Sequence, residues 1–466
     1  MNKKELKIYY LLFDFLISFV VWIIVVVYRK TLYKGQLLND FQIYIPNFEY
    51  FSTLLLFPFF CIFFYYLSGF YNRPQNHSTS SIIFASFSST LIISVVIFFI
   101  VIIDDIVISY QIYYFSLLLL FSLLFISILT ERLIINSKIN LDIKSGKRRI
   151  NTIIVGTGKN ALKIADEINK KSKKNVFLGY VNIDQNITVP KDKILGSFNQ
   201  IDAVLVNNQV EEAIIALDDA DEQKLFKYIN SLYKYNIEIR FTPRLYEILT
   251  GSARMSGIGV NPLVSITNLN MSDWEISVKR VYDIIISVIV LVGLSPLFLF
   301  VMLKIKADSK GSVFYKQERI GLYGKPFKIF KFRTMFLGAE NGTPKLSSSD
   351  DPRITPFGRF LRKYRIDEFP QFWNILKGDM SIVGPRPERQ FFINQIIEDA
   401  PYYCLLYKIR PGLTSWGPIK IGYSDTVEKM VERLNYDIIY IENMSLLNDL
   451  KILVLTLEIL FKGKGM

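Results

Sequence analysis

Residues Arg362–Glu388 read RKYRIDEFPQFWNILKGDMSIVGPRPE and place two adjacent carboxylates, Asp367 and Glu368, behind three cations and shortly before Pro370. Apolar residues recur at helical spacing on both sides of this acidic pair, which predicts two amphipathic helices that meet near Asp367. A proline is tolerated in the first turn of a helix because its missing N–H has no partner there, and Gly378 suits the helix end. The acidic pair is therefore predicted at a helix start.

Two roles stay open for the acidic pair at this point. Aspartate is a favoured helix cap, and negative charge stabilises a helix N-terminus. A helix start also offers free N–H groups that bind phosphate, so a carboxylate there, beside Arg362 and Arg365, could hold Mg²⁺ or attack a phosphorus atom. Beside such cations a carboxylate is expected to stay ionised at neutral pH.

The whole chain is apolar and basic. Of its 466 residues 51% are hydrophobic and 15% are aromatic, and the formal net charge is +13. This composition indicates a membrane protein whose basic excess suits cytoplasmic loops, anionic lipid or phosphate-bearing substrates, and no nucleic-acid motif occurs. The only histidine is His77, and the two cysteines, Cys61 and Cys404, lie far apart. Histidine catalysis, a disulfide and a thiolate metal site are therefore disfavoured, which leaves carboxylates, hydroxyls and cationic side chains.

Four apolar runs early in the chain approach the ~20 residues with which a helix crosses a bilayer: Tyr9–Val27, Phe51–Phe70, Ser81–Ile103 and Tyr113–Leu129. Lysine and arginine cluster before the first run and after the fourth, whereas the link at 104–111 has neither. Both ends of this bundle, predicted over residues 1–135, should therefore face the cytoplasm. Asp14 lies within the first run and is expected to point into the bundle.

A strand–turn–helix pattern follows in RRINTIIVGTGKNALKIADEI, where Gly156 and Gly158 form a G-x-G-x-x-A motif. Further alternation of strand and helix patterns predicts a Rossmann-like α/β domain over residues 148–250, followed by a linker at 251–273. The incomplete motif leaves open whether the glycine loop binds a nucleotide or is a structural or regulatory relic. No Tyr-x-x-x-Lys occurs in this domain, which disfavours a dehydratase or epimerase of nucleotide sugars.

A fifth apolar run, Ile284–Ile305, is interrupted at Ser295 and Pro296 and is flanked by basic residues on both sides. Pro296 breaks the helical hydrogen-bond ladder, and the Ser295 hydroxyl can satisfy a freed carbonyl. Because both flanks are typical of the cytoplasmic side, the sequence favours a re-entrant helix over about 280–306. A kinked helix that crosses the membrane is the alternative.

The next stretch, from Lys304 to Arg333, contains nine lysines and arginines with interleaved aromatics. It is either a solvated face beside anionic lipid or a pocket for a polyanion. Arg319 and Arg333 suit bidentate contact with phosphate, and Lys331 lies in the same stretch. The residues alone leave both interpretations, the lipid-facing surface and the polyanion pocket, open.

Several separated motifs occur in order after Trp274: YKQERIG, GKPFKIFKFRTM, DPRITPFGRFLRKYRIDEFPQFWNILKGDMSIVGPRPE and RPGLTSW. In these motifs the segment 274–466 resembles the bacterial sugar transferase family, the monotopic-type phosphoglycosyl transferases that act on polyprenyl phosphate. The whole layout is similar to the large undecaprenyl-phosphate hexose-1-phosphate transferases. The predicted fold is therefore a four-span helical membrane bundle, a Rossmann-like α/β domain and an α-rich catalytic domain with a re-entrant helix.

The resemblance implies a reaction. A sugar 1-phosphate would pass from a UDP-sugar to undecaprenyl (polyprenyl) phosphate with release of UMP, in a ping-pong mechanism through a phospho-aspartate at Asp367. Mg²⁺ would be the cofactor, held by Asp367 and Glu368. The product would start a capsule, an exopolysaccharide or an O-antigen. The protein would be a multi-pass protein of the bacterial inner membrane, with its catalytic domain on the cytoplasmic face.

The resemblance also assigns residues. The re-entrant break of the family matches Ser295 and Pro296. The cations expected to contact substrate phosphates are Arg319, Lys331, Arg333, Arg353, Arg362, Arg386 and Arg410. The chain departs from the common family pattern at TSWGPIKIG, from Thr414 to Gly422, which leaves the donor sugar open.

The expected partners are a UDP-sugar, polyprenyl phosphate and the lipid bilayer, with no nucleic acid, and a homodimer is left open. A non-enzymatic alternative from the same sequence is a membrane-anchored nucleotide sensor that scaffolds other enzymes. It predicts no turnover in the purified protein, whereas the transferase predicts release of UMP.

Overall fold

The computed structural model divides the chain into two compact units, residues 1–148 with 272–279, and residues 149–271 with 280–466. Each unit has hydrophobic core clusters of its own. The residues that the structure describes are 3–34, 48–75, 77–104, 110–146, 148–171, 174–183, 187–218, 221–235, 237–242, 263–265, 269–339, 351–422 and 426–461.

In its described part the first unit is a bundle of the helices α1 (Lys3–Lys34), α2 (Phe48–Leu67), α3 (Thr79–Asp104) and α4 (Tyr110–Lys144). Helices long and apolar enough to cross a membrane lie at Lys4–Arg29, Thr79–Ile100 and Tyr113–Ile143. The predicted run at Phe51–Phe70 forms an apolar helix whose segment Thr53–Leu67 is shorter than a span. Three of the four predicted spans are thus confirmed by length and composition, and the second is not.

The bundle exposes apolar side chains and buries a small polar cluster within its hydrophobic core. Large side chains such as Leu16 and Phe84 are more than half exposed, as suits helices that face lipid. Asp14 is instead fully buried, and its carboxylate accepts hydrogen bonds from the Tyr71 hydroxyl at 2.5 Å and from the Arg132 guanidinium at 3.1 Å. The prediction that Asp14 points into the bundle is confirmed.

The second unit begins with an α/β domain. Its strands are β1 (Ile150–Val155), β2 (Asn175–Asn182), β3 (Ile194–Ser197), β4 (Glu212–Ile215), β5 (Glu238–Phe241) and β6 (Val264–Ser265). They lie in the order β3-β2-β1-β4-β5-β6, and all neighbours are parallel except β5 and β6. The intervening helices are α5 (Lys159–Lys171), α6 (Ile201–Asn207) and α7 (Glu222–Tyr233).

This doubly wound sheet confirms the predicted Rossmann-like domain. The strand β6, however, falls within residues 251–273, which the sequence predicted as a linker. A strand of two residues carries no recognisable pattern of its own, so its pairing with β5 becomes visible only in the folded sheet.

The remainder of the second unit follows α8 (Asp273–Gly293), which begins in the first unit, and α9 (Ser295–Asp308). The two helices meet at a bend of 60°. The Ser295 hydroxyl donates to the Val292 carbonyl at 2.7 Å and so satisfies the group that Pro296 leaves without a partner. The predicted break at Ser295 and Pro296 is confirmed, and the bend fits a re-entrant helix and a broken span equally.

The other elements are β7 (Phe314–Ile320), β8 (Pro326–Phe332), α10 (Pro356–Lys363), α11 (Gln371–Lys377), β9 (Ser381–Val383), α12 (Gln390–Asp399), β10 (Gly412–Thr414), α13 (Trp416–Ile421), α14 (Val427–Glu442) and α15 (Leu446–Phe461). Strands β7 and β8 form an antiparallel hairpin, and β9 pairs with β10 in parallel.

Two charged residues of α8 position the elements around the acidic pair. Arg280 donates to the carbonyls of Ile375 and Leu376 at 2.6 and 2.9 Å, at the C-terminal end of α11. Asp283 accepts from the N–H of Ile382 on β9 at 2.9 Å. The last carbonyls of a helix lack their full set of partners within it, and Arg280 uses two of them to fix this end of α11 to α8.

Candidate functional site

The acidic pair lies between α10 and α11. Helix α10 ends at Lys363, Arg365 adopts a left-handed φ of +54°, and the pair follows in a 3-10 turn, Ile366–Glu368. Left-handed backbone is uncommon for residues other than glycine and marks a sharp change of chain direction. The N-cap of α11 is Pro370, and neither carboxylate accepts a backbone N–H from the residues that are described. Capping is thus not the role of this pair.

Glu368 is held by cations. Its Oε1 accepts from Lys331 Nζ at 2.9 Å and from Arg386 Nη2 at 2.8 Å, and Arg365 lies 3.9 Å from Oε2. Burial alone would raise the pKa of Glu368, but Arg386 and Lys331 hold that pKa well below its ordinary value. Glu368 is therefore ionised and fixed in place, and its ion pairs make it a weak nucleophile.

Asp367 is equally buried, with 7% of its surface exposed, yet it is free. Among the described parts of the chain, no side chain or backbone group forms a hydrogen bond or ion pair with its carboxylate. Burial raises the pKa of Asp367 to about 6, Glu368 adds to the rise, and Lys331 and Arg362 oppose it. Asp367 is therefore ionised at neutral pH, as expected, but its pKa lies only about one unit below 7. The lone pairs of its carboxylate are available to react.

Lys331 reaches Glu368 because α11 is bound to β8. The buried side chain of Asn374 accepts from the N–H of Phe330 at 3.0 Å and donates to the carbonyl of Lys328 at 2.8 Å. Lys331 is the next residue along this strand. The sequence analysis missed Asn374, although a buried amide within the apolar stripe of a helix was the signal that could have identified it.

Arg386 is positioned by Glu388, which the sequence analysis also missed. The buried carboxylate of Glu388 accepts from Arg319 at 2.9 Å and from Arg433. Burial would raise the pKa of Glu388, but Arg433 and Arg319 hold it below the ordinary value. Because Glu388 lies two residues after Arg386, this network fixes the loop that carries Arg386.

The structure brings only part of the predicted phosphate-binding set to the acidic pair. Lys331 and Arg386 contact Glu368. Arg362 donates to the Thr334 hydroxyl at 2.9 Å and lies near enough to Asp367 to lower its pKa. The other four donate to protein groups: Arg319 to Glu388, Arg333 to the carbonyls of Ser309 and Lys310, Arg353 to Asp351, and Arg410 to the carbonyl of Gly378. Phosphate contact by these four stays a prediction.

The acidic pair alone is a sparse metal site. In the described ranges, no group of three or more His, Cys, Asp or Glu side chains could hold a metal ion. Mg²⁺ commonly binds through one or two carboxylates together with substrate phosphates. The pair therefore fits Mg²⁺ as an ion shared with a phosphate-bearing substrate.

Comparisons with known proteins match two successive parts of the chain. A family model described as bacterial sugar transferase matches residues 274–463, and one described as CoA-binding domain matches residues 65–243. A UDP-glucose:undecaprenyl-phosphate glucose-1-phosphate transferase of Caulobacter vibrioides is 40% identical over 38% of this chain and 67% of its own length. The exopolysaccharide production protein ExoY of Sinorhizobium fredii is 38% identical over 40% of this chain and 87% of its own.

A longer match covers more of the chain. A UDP-glucose:undecaprenyl-phosphate glucose-1-phosphate transferase of Xanthomonas campestris is 31% identical over 65% of this chain and 65% of its own length. This chain spans 54% to 65% of that relative and of two others with the same name. The acidic pair lies within residues 274–463, which the bacterial sugar transferase model matches.

Proposed function

The chain belongs to the bacterial sugar transferase family, and we propose that it transfers a sugar 1-phosphate from a UDP-sugar to undecaprenyl phosphate. The observation that carries the proposal is the acidic pair, in which Glu368 is ion-paired while buried Asp367 has no hydrogen-bond or ion-pair partner among the described residues. Relatives named for this activity support it. The lipid-linked product would start a capsule, exopolysaccharide or O-antigen at the cytoplasmic face of the inner membrane.

Asp367 is the nucleophile of this reaction. A carboxylate oxygen of Asp367 attacks the phosphorus atom that carries the sugar, the P–O bond to UMP breaks, and UMP leaves with the electron pair. A phosphate oxygen of the lipid then attacks the same phosphorus and releases the Asp367 carboxylate. Because an ionised carboxylate attacks through its own lone pairs, no general base is needed to activate it.

Glu368 keeps two positive charges beside the nucleophile. Lys331 and Arg386 are both within 2.9 Å of its Oε1, so they are in place before the donor binds. Cations fixed in advance stabilise charge that develops on phosphate oxygens without reorganisation during the reaction. Mg²⁺, with Asp367 and Glu368 as its protein ligands, would supply further neutralisation of the donor diphosphate.

The function is tested with the purified full chain in lipid nanodiscs that contain undecaprenyl phosphate. A series of UDP-sugars is supplied with Mg²⁺, and both UMP and lipid-linked sugar are measured. We expect equal amounts of UMP and of lipid diphosphate sugar for at least one donor. Release of UDP in place of UMP would contradict the proposal, and absence of turnover with every donor would favour the nucleotide-sensor alternative.

UMP release should increase with pH through about 6 and level off above it. The pKa of Asp367 is about 6, so its carboxylate is protonated and cannot attack at lower pH. In a ping-pong reaction, kcat/KM for the donor reports only the first half-reaction, and we expect it to fall about tenfold per pH unit below 6. Initial rates between about pH 5 and 8 measure this. A flat profile in protein that remains folded would contradict the role of Asp367.

The broken helix is expected to return to the cytoplasmic side. Cysteines introduced singly at Lys279 and Lys310 should both resist an impermeant thiol reagent added to intact cells, and the exposed Lys310 site should react after permeabilisation. The native Cys61 and Cys404 are fully buried, which keeps background labelling low. Labelling of Lys310→Cys alone in intact cells would show a crossing helix. Pro296→Leu should favour a continuous helix and lower turnover.

A further inference from the structure

The α/β domain contains a phosphate-type turn that the proposed reaction does not use. Strand β1 ends at Val155, Gly156 and Gly158 form the turn, and α5 begins at Lys159. In nucleotide-binding domains with this strand order, phosphates lie at the N-terminus of that helix, beside the point between β1 and β4 where the strand order reverses. CoA or a nucleotide would place its phosphates in this crevice.

Asp218, which follows β4, places a carboxylate of the chain itself at the N-terminus of α5. Its Oδ2 accepts from the N–H of Lys159 at 2.8 Å, and its Oδ1 accepts from the N–H of Asn160 at 2.9 Å. The Asn160 side chain donates in turn to the carbonyl of Leu217 at 3.0 Å and holds the segment after β4 against the helix. The first N–H groups of α5, which have no partner within the helix, are therefore already engaged.

The two glycines of the turn are explained by packing within the chain. Gly156 has a φ of +140°, and a Cβ there would lie 2.3 Å from the carbonyl oxygen of Ala216. A Cβ on Gly158 would lie 1.9 Å from Oδ2 of Asp218. In a dinucleotide-binding turn the second glycine lets the pyrophosphate approach the backbone. Here the group that approaches is the Asp218 carboxylate.

The opposite side of the turn is also bound to the domain. Thr188 donates to the carbonyl of Thr157 through both its N–H, at 3.0 Å, and its hydroxyl, at 2.9 Å. The turn is therefore fixed from the segment after β2 as well as from the segment after β4. A ligand would have to open a structure in which its main anchoring groups are occupied.

We infer that Asp218 takes the place of a ligand phosphate, so that this α/β domain folds and works with no CoA or nucleotide at the glycine turn. This disagrees with the ligand that the description of the matching family model implies. A phosphate that entered the crevice would meet a negative charge and would have to break two charge-assisted hydrogen bonds. Because Asp218 is part of the chain, its effective concentration at the turn is high.

The domain has a different task in the second unit, where it supports a segment of the catalytic half. Helix α7 packs on the 3-10 segment Pro401–Lys408, and the Asn230 side chain donates to the first carbonyl of that segment at 2.7 Å. Cys404 is fully buried among core residues of the α/β domain, and the rings of Tyr233 and Tyr407 lie 6.2 Å apart. A domain that supports another part of the chain has to be folded whether or not a ligand is bound.

Hydrogen exchange in the full chain, measured by mass spectrometry in nanodiscs, tests the inference at the turn itself. In the wild-type chain, millimolar CoA or ADP should leave the exchange of the peptide Gly156–Leu162 unchanged. Asp218→Ala should speed its exchange at least about tenfold, because the N–H groups of Lys159 and Asn160 lose their acceptor. Inorganic phosphate, compared with chloride at equal ionic strength, should slow it again. Asp218→Asn, which keeps one acceptor oxygen, should give an intermediate rate.

Asp221→Ala is the matched control. Asp221 caps α7 by accepting from the N–H groups of Gln223 and Lys224 at 3.0 and 3.2 Å. Its loss should speed exchange in α7 and leave the Gly156–Leu162 peptide unaffected, with or without phosphate. The inference is wrong if CoA or ADP protects this peptide in the wild-type chain, if Asp218→Ala leaves its exchange unchanged, or if phosphate fails to slow exchange in that variant.

Discussion

Asp367→Asn should reduce UMP release at least about 10³-fold, because asparagine has the shape of aspartate but no ionised oxygen to attack phosphorus. The measurement is a single-turnover reaction with UDP-sugar and Mg²⁺ but without lipid. The wild-type chain should release at most about one UMP per site and gain the mass of one sugar phosphate. The variant should do neither. An adduct that persists in Asp367→Asn, or UMP release that requires bound lipid, would rule out the phospho-aspartate.

The same variant separates catalysis from stability. Burial raises the pKa of Asp367 to about 6, so this group favours the folded state at low pH and loses that contribution as the pH rises through about 6. Asp367→Asn should therefore unfold at the same or a higher temperature than the wild-type chain, and its advantage should grow between about pH 5 and 8. Thermal unfolding at both pH values measures this. A variant that unfolds earlier at the higher pH would indicate a structural role.

Glu368→Gln should lower both stability and activity, by a different route. It leaves Lys331 and Arg386, which lie 2.9 and 2.8 Å from Oε1, without the negative charge that compensates them in a buried site. Removing one partner of a buried ion pair costs about 3–5 kcal/mol. We expect an earlier thermal unfolding transition and a loss of turnover that does not depend on the donor sugar.

Glu238→Gln provides a matched control for this effect. Glu238 pairs with Arg240 at 2.8 Å, but a third of its side chain is exposed, and exposed pairs contribute about 0–1 kcal/mol. Its unfolding temperature and turnover should stay near those of the wild-type chain. If Glu368→Gln behaves like this control, Glu368 does not organise the site in the way that its contacts indicate.

Local sequence patterns were enough to predict most of the helices and strands and the type of enzyme. Apolar runs of sufficient length predicted the membrane helices, and three of these are helices long enough to cross a bilayer. The glycine turn predicted the doubly wound domain, and Ser295 with Pro296 predicted the bend of 60°. Such features are encoded within a few turns of chain, through hydrophobic periodicity and the restricted backbone of proline. The short strand β6 was not predicted, because a strand of two residues is too short to show a periodic pattern.

Which side chains act together became clear from the folded chain alone. Asp367 and Glu368 are neighbours in sequence and equally buried. Glu368 pairs with Lys331 of β8 and with Arg386, whereas Asp367 has no hydrogen-bond or ion-pair partner in the part of the chain that the structure describes. Asp218 likewise closes a turn some 60 residues earlier in the chain, at Lys159 and Asn160. Charge, burial and hydrogen bonding depend on distances in space, and no local pattern encodes which distant side chains will supply them.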